Sequence, residues 1–268
     1  MNPINKIVGL FKSAKSSLGS AVSRLFGRGK VTAADAKAAQ QESDRVLKEL
    51  RKESDIWVRD NLTKAAKDGV AKSMFDLKEA RSLLEAADKA KLNKPNREML
   101  ALMIQQTNAD VLQVTNNMDR RMKLVIQQTL AESLRSNFSQ GVNTSGSIAQ
   151  DVLARLRRTA GVALDTGIVD AAGRRWKPEV YVEMLVQTKM AETARQATIN
   201  DALEREVYYG IISSHGAKDM CRNWEGRIVK LVADAPGDYP YIGDLPTREI
   251  FHPRCRHTIS PIRNPQGG

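Results

Sequence analysis

All three histidines and both cysteines of this chain fall within 43 residues, as His215, Cys221, His252, Cys255 and His257. Thiolate sulfur and imidazole nitrogen are the donors that zinc takes in a tetrahedron, and a small β unit with little core gains most from such a cross-link. Cys221, His252, Cys255 and His257 would supply the set, with His215 as the alternative fourth ligand. The spacing is irregular, because no CxxC pair occurs and Trp224 stands where a second cysteine would turn C-R-N-W into C-R-N-C. Thiols packed beside hydrogen-bonded imidazoles, or a Cys221–Cys255 disulfide, would use the same residues. A structural zinc is the cofactor that these residues suggest, and no other is indicated.

Cysteine-based catalysis requires a low-pKa thiol beside an imidazole that a third group holds. Cys255 has histidines two and three residues away, but neighbours in sequence are rarely catalytic partners. The HPRCRH run at 252–257 could suit a metal nuclease, yet no acidic pair accompanies it at a recognisable spacing. A Walker loop, a GxGxxG turn and an HExxH helix are all missing from the sequence. No catalytic residue is expected, and the chain reads as a non-enzyme. A metal-dependent enzyme or a toxin-like activity of the His/Cys module is the alternative from another class.

The elements that must position these residues follow from periodicity. VYYGIIS (207–213), RIVKLV (227–232) and RHTISPI (256–262) are β-branched, aromatic or alternating runs, and six of the nine prolines lie beyond Ala235. Residues 207–268 therefore read as a small, turn-rich β module. Residues 31–206 are a helical body. Thr32 is a candidate N-cap, and two long helices are expected from there to about Leu92. Pro95 suits the first turn of a further helix running to about Phe138. A turn at 140–146, a short helix at 148–158 and a loop at 165–175 follow, and Pro178 opens a helix towards Leu203. The fold class expected is α+β: elongated, mainly long helices, with the small C-terminal β-rich subdomain.

With 42 Lys and Arg against 31 Asp and Glu the net charge is +11. Lys6, Lys12, Lys15, Arg24, Arg28 and Lys30 supply six of those charges within residues 1–30, where no acidic residue occurs. This stretch also carries an apolar stripe (Ile4, Ile7, Phe11, Leu18, Leu25) and reads as a basic amphipathic arm. Docking on the rest of the protein, duplex DNA or peripheral contact with a membrane would each suit it. The longest stretch without a charge, 136–150, is short and polar, so no spanning helix is expected. Trp176, Tyr181, Tyr239 and Tyr241 are candidate aromatic anchors for a partner.

The order YVEMLVQTKMAETAR (181–195), GIISSHGAKDMCRNWEGRIVKL (210–231) and FHPRCRHTISPI (251–262) resembles the minor capsid or head morphogenesis proteins of tailed phages, the Mu F-like group and its minor capsid protein 2 relatives. The matching positions are Ser213, Ser214, His215, Cys221, Trp224, Glu225, Gly226, His252, Pro253, Cys255, Arg256 and His257. What the resemblance implies is a low-copy virion protein, made in the host cytoplasm and lying inside the capsid near the portal. It implies the portal protein as partner, with scaffold or major capsid protein and packaged double-stranded DNA as further contacts. A membrane-active role in genome ejection, through residues 1–30, is the remaining alternative.

Overall fold

The computed structural model describes residues 2–26, 31–139, 161–165, 167–170 and 173–265. Its elements are α1 (Pro3–Phe26), α2 (Ala33–Asp76), α3 (Leu83–Lys89), α4 (Lys94–Ser139), β1 (Ile168–Val169), β2 (Arg175–Trp176), α5 (Pro178–Glu204), β3 (Tyr209–Ile212), β4 (Ile228–Lys230) and β5 (Ile259–Ile262). Helices dominate and the two sheets are small and antiparallel, so the chain has the expected α+β class. None of the described helices is long and apolar enough to cross a membrane.

Thr32 does cap α2: its hydroxyl accepts from the amide of Asp35, whose carboxylate accepts in return from the amide of Thr32. The two termini of the motif thus satisfy each other's orphan donors. From there the structure departs from expectation, since one helix of 44 residues and one of seven replace the two long helices. Nothing between Ala33 and Asp76 breaks the ladder. Ser82 and Asn93 cap the next two helices through the amides of Glu85 and Asn96. The region 165–175 is also not simply loop, because β1 and β2 pair there with Ile168 opposite Trp176. The turn expected at 140–146 and the short helix at 148–158 lie outside the described residues.

The chain divides into two compact units, Met1–Trp57 with Asn108–Glu183, and Val58–Thr107 with Met184–Gly268. In the first, Ile7, Phe11 and Leu18 of α1, Leu47 of α2 and Met118 and Met122 of α4 are fully buried. Trp57 Nε1 donates to the carbonyl of Pro3 at 2.8 Å. In the second, the sheet has the order β4-β3-β5, with Gly210 opposite Val229 on one side and Pro261 on the other. Ile212, Val229, Leu231 and Ile259 form one core with Ile199 and Ala202 of α5. The end of the long helix is thereby fixed on the sheet that carries the His/Cys loops.

Within this second unit α2 and α5 touch through small residues. A Cβ on Gly69 would overlap the carbonyl oxygen of Ala194, and the Gly69 carbonyl accepts from the Thr198 hydroxyl at 2.9 Å. Glycine, poor in helix interiors by about 1 kcal/mol, is here the residue that permits the close approach. Gly69→Ala is therefore expected to destabilise by roughly 1–3 kcal/mol through overpacking, lowering the denaturation midpoint. Gly9→Ala, on an exposed part of α1 with nothing within 4 Å, should be neutral or stabilising. Equal gains for both substitutions would contradict the crossing.

Candidate functional site

Two irregular segments flank the three-stranded sheet of the second unit, and the sequence-selected residues lie on them. Asp219 caps a 3-10 turn, Met220–Asn223, by accepting from the amide of Cys221, which buries the Cys221 side chain in the core. The other segment, between Ile250 and Thr258, turns through left-handed Phe251 and Arg254. It is held by Arg254 N donating to Thr188 Oγ1 on α5 at 3.2 Å, and by Thr258 N donating to Ser213 Oγ at 2.9 Å.

The two segments bring four of the five His/Cys residues into a chain of contacts. Cys221 Sγ stands 3.0 Å from His252 Nε2 and 3.8 Å from Cys255 Sγ, and Cys255 Sγ stands 3.2 Å from His257 Nδ1. Both thiols are free, so the disulfide alternative is not what this arrangement contains. Donor atoms of Cys221, His252 and Cys255 all lie within 4.8 Å of one another, close enough to share a metal ion. His215, Glu225 and His257 form a second such group. His215 is not bonded to either sulfur; its ring is tilted against that of His257, with centroids 4.2 Å apart.

The carboxylates of this site went unassigned in the sequence. Glu225 Oε1 accepts from the amides of His215 (2.9 Å) and Ala217 (3.1 Å) and meets His257 Nε2 at 3.1 Å. Those two backbone hydrogen bonds, helped by His257 and the charge of His215, bring its pKa down to about 2. Asp219 approaches His252 Nε2 at 3.3 Å. Burial acts to raise the pKa of Asp219, but the hydrogen bonds from the Cys221 amide and thiol leave it lowered. Only the W-E-G string marked Glu225 in the sequence, without a role, because its function depends on two amides that no side-chain pattern reveals.

Cys221 is the reverse of an activated nucleophile. Burial first, then the neighbouring Cys255 and Asp219, push its thiol up to about 12. Near Cys255, Arg195 of α5 stacks 4.0 Å from the Phe251 ring, and burial lowers the guanidinium pKa against the opposing pull of Glu192 and Cys255. A cavity of about 330 Å³ opens there, lined by Arg195, Phe251, His252 and Cys255 among others.

The other sequence-selected residues are placed as follows. Trp176 donates to Asp170 at 3.0 Å and meets Tyr181 edge-on at 6.2 Å. Tyr239 meets Tyr209 at 5.9 Å, and Tyr241 lines the 330 Å³ cavity. All four aromatic residues are half-buried and already engaged within their own unit. Lys15 is paired with Glu179 (2.6 Å) and Asp165 (3.0 Å), and Arg24 with Glu42 (2.5 Å). Lys6 and Lys12 are exposed, while Arg28 and Lys30 lie outside the described residues. The apolar stripe of α1 that a lipid surface would take is buried inside the first unit at Ile7, Phe11 and Leu18.

Fold and site together define an α+β protein whose long helices lead into a small β module braced by side chains. The chain belongs to the phage minor capsid protein 2 family, whose sequence pattern matches residues 30–263 of 268. It is thus a phage capsid-associated protein, and its location is the virion. No curated protein and no solved structure is found to match it.

The buried Cys221 thiol carries a prediction for the metal-free protein. At pH 8 a thiol with a pKa near 12 should alkylate roughly a thousandfold more slowly than a free cysteine of ordinary pKa. Peptide mapping after iodoacetamide treatment of the folded protein measures this. Rapid labelling of Cys221 would mean an activated thiol and would return a catalytic reading to the site.

Proposed function

We propose that this capsid protein works without catalysis, as a low-copy component that docks on the portal inside the head and contacts packaged DNA. The observation that carries the docking half is the outer face of α4. In the first unit Val111, Val114, Met118 and Met122 are buried, yet Leu112, Leu124 and Leu134 remain 45%, 50% and 47% exposed. At 100° per residue the three leucines fall within an arc of about 120° opposite the buried residues. An amphipathic helix needs one apolar face to fold, and a second apolar stripe suits a groove on a partner. A ring of identical subunits offers such grooves repeatedly.

Aromatic residues fit the docking role less well, because each is half-buried in local contacts. The test is retention on purified portal rings. Wild-type protein should be retained, and Leu112→Ser with Leu124→Ser and Leu134→Ser should weaken retention tenfold or more while helicity and thermal midpoint are kept. Failure of the wild type to bind, or equal binding by the triple variant, would refute this docking face.

Support for DNA contact comes from the net charge of +11 and from Lys6 and Lys12, which are exposed on α1. Phosphate contacts release counterions, so affinity for duplex DNA should fall steeply as salt rises. Lys6→Glu with Lys12→Glu should reduce both the affinity and the slope of its logarithm against that of salt. Salt-independent binding, or none at all, would remove DNA from the account.

A further inference from the structure

We propose that Cys221, His252, Cys255 and His257 hold one zinc ion, and that Glu225 is the positioning residue that makes His257, rather than His215, the fourth ligand. The inference rests on which nitrogen of each ring carries the proton. His252 Nδ1 lies 2.9 Å from the carbonyl oxygen of Pro253, an atom that can only accept. The proton therefore belongs on Nδ1, and the Nε2 lone pair faces Cys221 Sγ at 3.0 Å. In His257 the roles are reversed. Its Nε2 lies 3.1 Å from a Glu225 oxygen that two backbone amides already hold as a carboxylate, so Nε2 donates and the Nδ1 lone pair faces Cys255 Sγ at 3.2 Å.

Two sulfurs and the His252 nitrogen thus lie within 4.8 Å of one another, the His257 Nδ1 lone pair joins this group at Cys255 Sγ, and the Asp219 oxygen 3.3 Å from His252 Nε2 adds a further acceptor. Convergent acceptors require a cation or a proton among them. Two sulfurs at about 2.3 Å from a tetrahedral zinc would be about 3.8 Å apart, and Cys221 and Cys255 are 3.8 Å apart. The sulfur to nitrogen distances of 3.0 and 3.2 Å are a few tenths of an ångström shorter than such a tetrahedron has, so the rings move outwards as the ion enters. Carboxylate, imidazole and metal in series is the usual arrangement by which a second residue orients a histidine ligand. His215 has no such support: its Nδ1 is 3.8 Å from Glu225, and it is half exposed. On binding, each thiol releases its proton to solvent as its sulfur bonds the ion, and no electron is transferred.

The competing arrangement keeps both thiols protonated and donating to the rings, with no metal. The full-length protein, purified without chelator, separates the two. Elemental analysis should return one zinc per chain, and replacement by Co²⁺ should give the visible d–d bands and the sulfur-to-cobalt absorption of a tetrahedral site with thiolates. His215→Ala and Asp219→Asn should keep the full equivalent, His257→Ala should lose it, and Glu225→Gln should weaken affinity by 10–100-fold, read by competition with a chelating dye. Because His257→Ala could unfold the module, wild-type protein titrated with chelator supplies a second reading: it should release zinc and lower the thermal midpoint. Less than a tenth of an equivalent of zinc, with no Co²⁺ bound, would overturn the site. Loss of metal in His215→Ala or Asp219→Asn but not in His257→Ala would overturn the choice of fourth ligand and the role of Glu225.

Discussion

Strands of four, three and four residues cannot by themselves hold the two irregular segments that cross beside them, and the convergence of Cys221, His252, Cys255 and His257 is what ties those segments together. Cys221 comes from the segment after β3, and the other three come from the segment before β5. Glu225, gripping the amides of His215 and Ala217 while meeting His257, joins the same two segments a second time. Trp224 does so a third time, donating to Glu249 at 3.1 Å. A small β unit with little apolar area gains most from links of this kind, because each removes loop entropy that its core cannot offset.

The rest of the second unit is arranged around that module. Ile199 and Ala202 of α5 share a core with Ile212, Val229 and Ile259 of the sheet. Gly69 lets α2 lie directly against α5 at Ala194. Lys72 extends the attachment by donating to Ser260 on β5 at 2.9 Å. The parts of α2 and α5 that belong to this unit are in this way packed against the sheet whose loops carry the thiols.

Much of this was legible in the sequence because it depends on local chemistry. β-Branched runs at 207–213, 227–232 and 256–262 contain β3, β4 and β5. Pro178 opens α5, and Thr32 caps α2. The nearness of Cys221 to the HPRCRH string was expected from composition alone. What was not legible depends on tertiary contact. Nothing in Gly69 distinguishes a helix weakness from a contact point until Ala194 is placed against it. The apolar stripe of α1 reads alike whether it meets lipid or is buried within its own unit, as Ile7, Phe11 and Leu18 are. Glu225 acquires its meaning from backbone amides. The β1 and β2 pairing is only two residues long on each side, too short for any alternation to register.

Without metal, burial and the neighbouring Cys255 and Asp219 push the Cys221 thiol up to about 12, the opposite of an activated nucleophile. The exposed leucines of α4 belong to the first unit and the braced loops to the second. Among all these claims the ligand set is the most direct to examine, by X-ray absorption at the zinc edge of protein purified without chelator. The account predicts a shell of two sulfurs at about 2.3 Å and two nitrogens at about 2.0–2.1 Å. A zinc shell of oxygens alone, or no zinc edge, would contradict it.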